Sequence, residues 1–186
     1  MNADGTGERR LTRTERENAF PHVINADPVW SPSGRTIAFR RSVITLRDTT
    51  GAIYVMNPDG TNQRWLTQAE ADPPAWSPNG RQISFVREGK VTFNVYVIHA
   101  DGTGVRCVTR NADEPAWSPG RRIAFVRPTV GVHTINADGT GLQRLTRGAK
   151  DLSPRWSPDG TRIAFVRVPR GRETRGSTSC VPTAPG

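Results

Sequence analysis

Three observations predict an all-β repeat fold, a propeller of about four four-stranded antiparallel blades. Trp-Ser-Pro recurs at Trp30, Trp76, Trp117 and Trp156, in steps of 46, 41 and 39 residues. Each copy is followed by a Gly within four residues and then by an Ile-x-Phe triplet: Ile37–Phe39, Ile83–Phe85, Ile123–Phe125, Ile163–Phe165. Asp-Gly alternates with this motif at Asp4, Asp59, Asp101 and Asp138, and seven residues after each Asp comes an apolar-Thr pair. A fixed period near 40 residues is the mark of a repeat architecture, and one such repeat is one blade.

The strands follow in order. The first of each unit ends at its Trp. Ser-Pro-x-Gly then turns the chain, because Pro presets φ and Gly accepts positive φ. The second strand is Ile-x-Phe, with one turn residue fewer before it in the third copy, where Trp117 is followed by Ser-Pro-Gly120. The third is the Ile53–Met56 type, repeated at Tyr96–Ile98 and His133–Ile135. Asp-Gly makes the next hairpin, and the fourth strand ends in Leu66-Thr67, Val108-Thr109, Leu145-Thr146 and, near the start, Leu11-Thr12. No helical period is sustained. Length varies in two connections, Thr12 to Trp30 and Phe39 to Asp59, which places loops there and makes Arg13–Ala26 the most individual part of the folded region.

The units predicted are about 13–67, 68–109, 110–146 and 147–168 together with 1–12, within one propeller spanning 1–168. The tail 169–186 is basic and rich in Gly, Ser, Thr and Pro, and is expected to be disordered. The expected core comprises the four Trp, the Ile and Phe of each triplet, Tyr54, Tyr96 and the apolar residue of each Leu-Thr pair.

Composition excludes several classes. Only 34% of the 186 residues are hydrophobic, while 18 Gly and 15 Pro suit short strands and tight turns. No apolar run approaches the length of a membrane span, and the opening Met1-Asn2-Ala3-Asp4-Gly5 is a turn rather than a signal peptide. The net charge is +9. Arg recurs at repeat positions, with Arg41, Arg87, Arg127 and Arg167 each two residues after the triplet Phe. Charge spread in this way is expected to be a solvated face or a protected strand edge, so nucleic acid is an unlikely partner. Cys107 and Cys180 show no zinc spacing; a bridge between them requires the tail to fold back.

No nucleophile elbow, phosphate loop or zinc-protease motif is present, and His22, His99 and His133 are isolated. A nucleophile is not needed four times, so Ser31, Ser77, Ser118 and Ser157 are turn residues. No enzyme, metal or cofactor is expected. The Asn-Ala-Asp-Gly-Thr-Gly stretches are hairpin turns, since they lack the alternating acids of a calcium loop. The candidate partner-binding residues are Asp27, Asp72, Asp113 and Asp151, each three to five residues before a Trp. In a propeller the Trp strand is innermost, so these carboxylates approach one mouth of the channel. They either cap their own loops as Asx-turns or form a ring for a cation or basic groups.

Taken together, Asp-x-Pro-x-Trp-Ser-Pro-x-Gly, Ile-x-Phe, Ile-Tyr-Val-Met-Asn-x-Asp-Gly and Arg-x-Leu-Thr resemble the TolB-type β-propeller repeat. Residues 72–109 match best, 113–146 nearly as well, and the likeness covers roughly 1–168. The resemblance implies blades around a channel, a periplasmic or other extracytoplasmic location in bacteria, and a non-catalytic scaffold for protein–protein interaction. Related repeats form accessory propellers of oligopeptidase-type hydrolases and receptor sensor domains, which makes a gating propeller, with its catalytic part elsewhere, the alternative. The family's propeller has six blades beside an α/β domain for which this sequence has no counterpart.

Met1-Asn2-Ala3-Asp4-Gly5 aligns with Met56-Asn57-Pro58-Asp59-Gly60, so the repeat starts in mid-blade. Two expectations result. Either the chain is a partial propeller, a fragment of a longer ring whose open ends self-associate, or it closes with four blades, the tail near Ser177–Val181 supplying the last third strand and Glu8–Thr12 the last fourth strand.

Overall fold

The computed structural model of the chain describes residues 1, 3–13, 21–69, 71–89, 91–147, 150–168 and 177–182; for 71–72 and 177–182 it describes the backbone only. Four antiparallel sheets follow one another, each a simple meander. The first comprises β1 (His22–Trp30), β2 (Ile37–Ile44), β3 (Thr49–Met56) and β4 (Arg64–Gln68). The second comprises β5 (Ala71–Trp76), β6 (Gln82–Glu88), β7 (Phe93–His99) and β8 (Arg106–Arg110). The third comprises β9 (Asp113–Trp117), β10 (Arg122–Arg127), β11 (Gly131–Asn136) and β12 (Gln143–Arg144). The fourth has β13 (Asp151–Trp156), β14 (Arg162–Arg167) and β15 (Ser177–Pro182). Among the described residues there is no helix, and so none long and apolar enough to cross a membrane.

Consecutive sheets pack through their inner strands, β1 on β5, β5 on β9 and β9 on β13. The two-residue period of a strand explains how. In each second strand the Ile and Phe face the preceding blade and the intervening residues face the following one. Ile83 and Phe85 therefore pack with Ala38, Ile53, Val55 and Leu66 of the first blade. Ile123 and Phe125 pack with Val86, Val95, Val97 and Val108 of the second, and Ile163 and Phe165 with Ala124 and Val132 of the third. Leu11 sits against Ile37, Phe39 and Met56. It thus stands to the first blade as Leu66 stands to the second, an outer-strand residue ahead of the first blade.

Each Ser-Pro turn is closed by the Ser. Its amide donates to the residue that opens the next strand, for example Ser77 N to Gln82 O at 2.8 Å, and its hydroxyl accepts the return amide, Gln82 N at 2.9 Å. The same pair forms at Ser31, Ser118 and Ser157. Gly34, Gly80 and Gly160 take φ near +70° in these turns. In the shortened third turn Arg121 holds that place, with φ +65° and its amide on the Ser118 carbonyl.

Three expectations are corrected. The variable span Phe39–Asp59 is absorbed by longer strands rather than by a loop: β2 and β3 have 8 residues each, β6 and β7 have 7, β10 and β11 have 6. Likewise His22–Ala26 belongs to β1, while residues 14–20 lie outside the described residues. In the tail, Ser177–Pro182 forms β15 along the whole of β14, from Arg167↔Ser177 to Arg162↔Pro182. A strand of Ser, Thr and Val fits there because β14 would otherwise leave an unpaired edge; residues 169–176 and 183–186 are outside the described ones. Finally, the Trp border the core rather than fill it: three of them pack against the inter-blade clusters, and Trp30 does not. Trp76, Trp117 and Trp156 are half-buried and Trp30 is 58% exposed.

Candidate functional site

The four inner strands carry Pro-x-Trp, and all four indoles, with Pro74 and Pro115 of these motifs, line one cleft of about 630 Å³ between the inner strands. Three of the indoles are spent on the joints between blades. Trp76 Nε1 donates to the Val29 carbonyl at 3.2 Å, Trp117 Nε1 to Ala75 at 3.1 Å and Trp156 Nε1 to Ala116 at 3.1 Å. Each acceptor immediately precedes the previous Trp, so the indoles link successive blades in one repeated step. Pro73, Pro74 and Pro115 add rigid apolar wall, and the polar groups are Glu114, Ser153 and Arg155. Glu114 Oε2 accepts the Ser153 amide and ties the third inner strand to the fourth. Such a cleft sets aromatic and proline surface beside a comparable share of polar surface, suited to an extended segment that is partly apolar and partly polar.

The four candidate aspartates do not occupy equivalent positions. A bulge precedes each Trp, and Asp27, Glu114 and Ser153, each three residues before their Trp, take φ of 55°, 52° and 52° there. In the second blade this place falls to Pro73, whose ring forbids positive φ. Asp27 accepts Arg40 Nε at 2.9 Å and keeps about a third of its side-chain surface. Asp113 lies one residue earlier, and its Oδ1 caps the Glu114 amide at 3.0 Å. The Asp72 side chain lies outside the described residues. Asp151, two residues before the bulge, has no exposed side-chain surface. It holds Arg167 through Nε at 2.7 Å and Nη2 at 2.9 Å, and it accepts the Thr146 hydroxyl. Asp151 therefore braces the joint between third and fourth blades and presents no carboxylate to a channel mouth. Glu114 and Arg155 were missed because the repeats were compared by acid rather than by distance from the Trp.

The repeated arginines act as clamps as well as surface charge: Arg41, Arg87 and Arg127 are half-buried and Arg167 is exposed. Arg41, Arg87, Arg127 and Arg167 lie over the Phe two residues before, with 5.4, 5.6, 5.8 and 5.1 Å to the ring centroids. Arg41 and Arg87 also cover Tyr54 and Tyr96 on the neighbouring strand, at 4.5 and 5.0 Å. From there Arg87 reaches back to Thr67 Oγ1 at 2.7 Å and Arg127 to Thr109 Oγ1 at 3.2 Å, both on the preceding blade. A second set reaches forward: Arg64 donates to the Asp101 and Ala100 carbonyls at 3.0 and 2.6 Å, and Arg106 to the Ala137 carbonyl. Planar, multidentate guanidinium suits both tasks, which lysine does not. These roles account for Arg41, Arg64, Arg87, Arg106, Arg127 and Arg167.

The Asp-Gly stretches are hairpin turns. In each, one Asp oxygen accepts both the amide and the hydroxyl of the Thr two residues on, as in Asp138 with Thr140 at 2.8 and 2.6 Å. These bonds hold Asp4, Asp59, Asp101 and Asp138 below the usual carboxylate range. Asp159, bonded by the Ser157 hydroxyl and by Thr161, falls to about 2. His133 is buried and stacks on Phe125 at 5.6 Å, in the place held by Tyr54 and Tyr96. Its Nδ1 lies 3.0 Å from the Gly131 carbonyl and so carries the proton that it donates there. Desolvation lowers its pKa, helped by Arg127 and Arg144. Cys107 is exposed on β8 in the second sheet, whereas the backbone of position 180 lies opposite Ala164 in the fourth.

A family model described as the TolB beta propeller domain matches residues 8–179. Solved structures share the fold. TolB from Acinetobacter baumannii superposes with a TM-score of 0.68 at 20% identity, over 86% of this chain and 41% of that one. A TolB candidate from Agrobacterium tumefaciens gives 0.63 at 19%, over 86% of this chain and 77% of that one. The propeller domain of the trilobed protease from Pyrococcus furiosus, described as having an open velcro topology, gives 0.66 at 14%, over 88% and 56%. No curated protein sequence matches. At these identities the likeness is one of fold, and because the chain spans only part of each matched structure, the fold is that of a partial propeller.

Proposed function

Because the chain belongs to the TolB β-propeller domain family, we propose that it is a non-catalytic scaffold for protein–protein interaction that works outside the bacterial cytoplasm. The observation that carries this reading is the cleft, where four indoles and four prolines set apolar surface among polar groups on a rigid frame of strands. Aromatic grooves of this kind take extended segments, especially proline-containing ones that lose little entropy on docking. Glu114 and Arg155 give the cleft one carboxylate and one guanidinium with which to orient such a segment, while Asp27 and Asp113 supply further acidic groups on the inner strands. Asp151 is committed to Arg167 and takes no part.

Site-specific photo-crosslinking tests the reading. A photoreactive residue at Pro73 or Ser153, both exposed in the cleft, is expected to capture the same protein from an envelope extract. The same residue at Asp59, in an outer hairpin, is expected to capture none. Equal capture at both sites, or none at either, overturns the cleft as the interface.

The likeness to the protease propeller supports a second reading, in which the cleft passes substrate to a hydrolase carried by another segment or chain. An active-site serine probe then labels whatever crosslinks to the cleft; an unlabelled adduct excludes it.

A further inference from the structure

The joints between blades repeat one pattern, and the two ends of the arc each hold half of it. At every joint a Trp indole donates to the carbonyl one residue before the previous Trp. Trp30 has the donor and no acceptor among the described residues, and it is more exposed than the three Trp that have one. Arg155 has the acceptor position, corresponding to Val29, Ala75 and Ala116, and no indole among the described residues donates to its carbonyl. The packing faces match in the same way. Val86 and Val126, which follow their triplet Phe and face the next blade, are 0% and 4% exposed, whereas Val166 in the last blade is 36% exposed.

The strand inventory is complementary as well. The last blade has an inner, a second and a third strand, and among the described residues no strand pairs the outer edge of β15, where β4, β8 and β12 complete the other blades. At the opposite end Leu11 already sits where an outer strand belongs, its carbonyl accepting Gln63 Nε2 at 3.1 Å, with no inner three strands beside it.

From this we infer that a second copy of the chain docks head-to-tail. The last blade of one copy fills the place before the first blade of the next, the Trp30 indole bonds the Arg155 carbonyl of the other copy, and the segment carrying Leu11 completes the β15 sheet. The contact reproduces the three joints the chain already makes within itself, and strand addition supplies backbone hydrogen bonds along an otherwise open edge. Being heterologous, it leaves one free end of each kind on the joined pair, so association continues until a ring closes. This inference is independent of what binds in the cleft.

Sedimentation of the full chain over a concentration series tests it, with Trp30→Ala and Val166→Asp as variants. Both residues are exposed, and circular dichroism checks that both variants fold. The wild type is expected to form concentration-dependent multimers, and each variant alone to associate about tenfold more weakly or worse, as for a central anchor. The decisive sample is the equimolar mixture. The Trp30→Ala copy keeps its tail and the Val166→Asp copy keeps its head, so one good joint remains and the mixture is expected to form a dimer and nothing larger. A wild type that stays monomeric at every concentration overturns the inference, and protection of the β15 amides that point away from β14 in that monomer would show closure within one chain. Multimers unaffected by either variant also overturn it.

Discussion

Trp117 Nε1 donates to the carbonyl of Ala75 across 42 residues of sequence, at 3.1 Å. The bond belongs to a joint whose other parts are apolar, so the indole supplies its direction as well as area. Trp117→Phe keeps a ring and removes the donor, leaving the Ala75 carbonyl without this partner. The expected cost is about 1 kcal/mol. Trp30→Phe, where no acceptor is engaged, is expected to stay within about 0.5 kcal/mol. Urea unfolding of dilute protein measures both. Equal costs would show that area alone matters and that the indole hydrogen bond does not.

Arg121 offers a gain instead of a loss. Its φ of +65° lies where the other three turns use Gly, and its side chain is exposed. A non-Gly residue in the left-handed region costs about 1 kcal/mol, partly offset by the extra freedom Gly brings to the unfolded chain. Arg121→Gly is therefore expected to raise the thermal midpoint by a few degrees, whereas Gly80→Arg, the reverse change in the second blade, is expected to lower it. A drop on Arg121→Gly would mean that the guanidinium makes a contact worth more than the strain.

The strands and their turns were legible in the sequence because everything that defines them is local. Trp to Ile, Ser to the returning amide, and Asp to Thr two residues on each lie within one hairpin, so constant spacing betrays them. What was not legible acts between blades. Arg87 stacks on a Phe two residues away but bonds Thr67 twenty residues back, and nothing in the run Phe-Val-Arg distinguishes a clamp from a solvated charge. The motif around Trp30 is the same as around Trp76, yet one indole is bonded and the other exposed, a difference set by neighbours and not by the motif. The acids failed for another reason. Asp27, Asp113 and Asp151 share a residue type and occupy three different positions relative to the bulge, so only register against the second strand separates Asp151, opposite Arg167, from Asp27.

His133 makes stability pH-dependent. Its pKa is lowered in the folded state, chiefly by burial. Below the ordinary value of about 6.5, the unfolded chain therefore binds a proton that the folded chain refuses. Stability then rises with pH through that window and falls as the solution is acidified from pH 7 toward 5. Tyr occupies this place in two other blades. His133→Tyr is expected to flatten the slope of unfolding free energy between pH 5 and 7. An unchanged slope would show that His133 does not carry the dependence.

The carboxylates test the structure from the acid side. Asp159 is expected to keep its charge until about pH 2, because the Ser157 hydroxyl and the Thr161 amide both bond the ionised form. Carbon-detected NMR titration reads this directly, and Ser157→Ala is expected to move the midpoint up toward the ordinary range.

Asp151 and Asp27 separate a brace from a surface pair. Both accept an Arg Nε from their own second strand, at 2.7 and 2.9 Å. Asp151 is fully enclosed and bonds Arg167 twice, with the Thr146 hydroxyl from the preceding blade on its second oxygen. Asp151→Asn replaces one acceptor oxygen by a donor that faces Thr146 or Arg167, and removes the charge that both bonds to Arg167 depend on. A loss of about 2 kcal/mol is expected from the weakened charge-assisted bonds. Asp27→Asn breaks an ion pair whose members are both partly in water, and is expected to cost less than about 1 kcal/mol. Since the Thr146 bond crosses between blades, Asp151→Asn should also loosen the fourth blade before the rest unfolds. Hydrogen exchange is expected to show β13 and β14 losing protection while β6 and β7 keep theirs. A uniform loss across all four sheets would show that the last blade unfolds only with the whole.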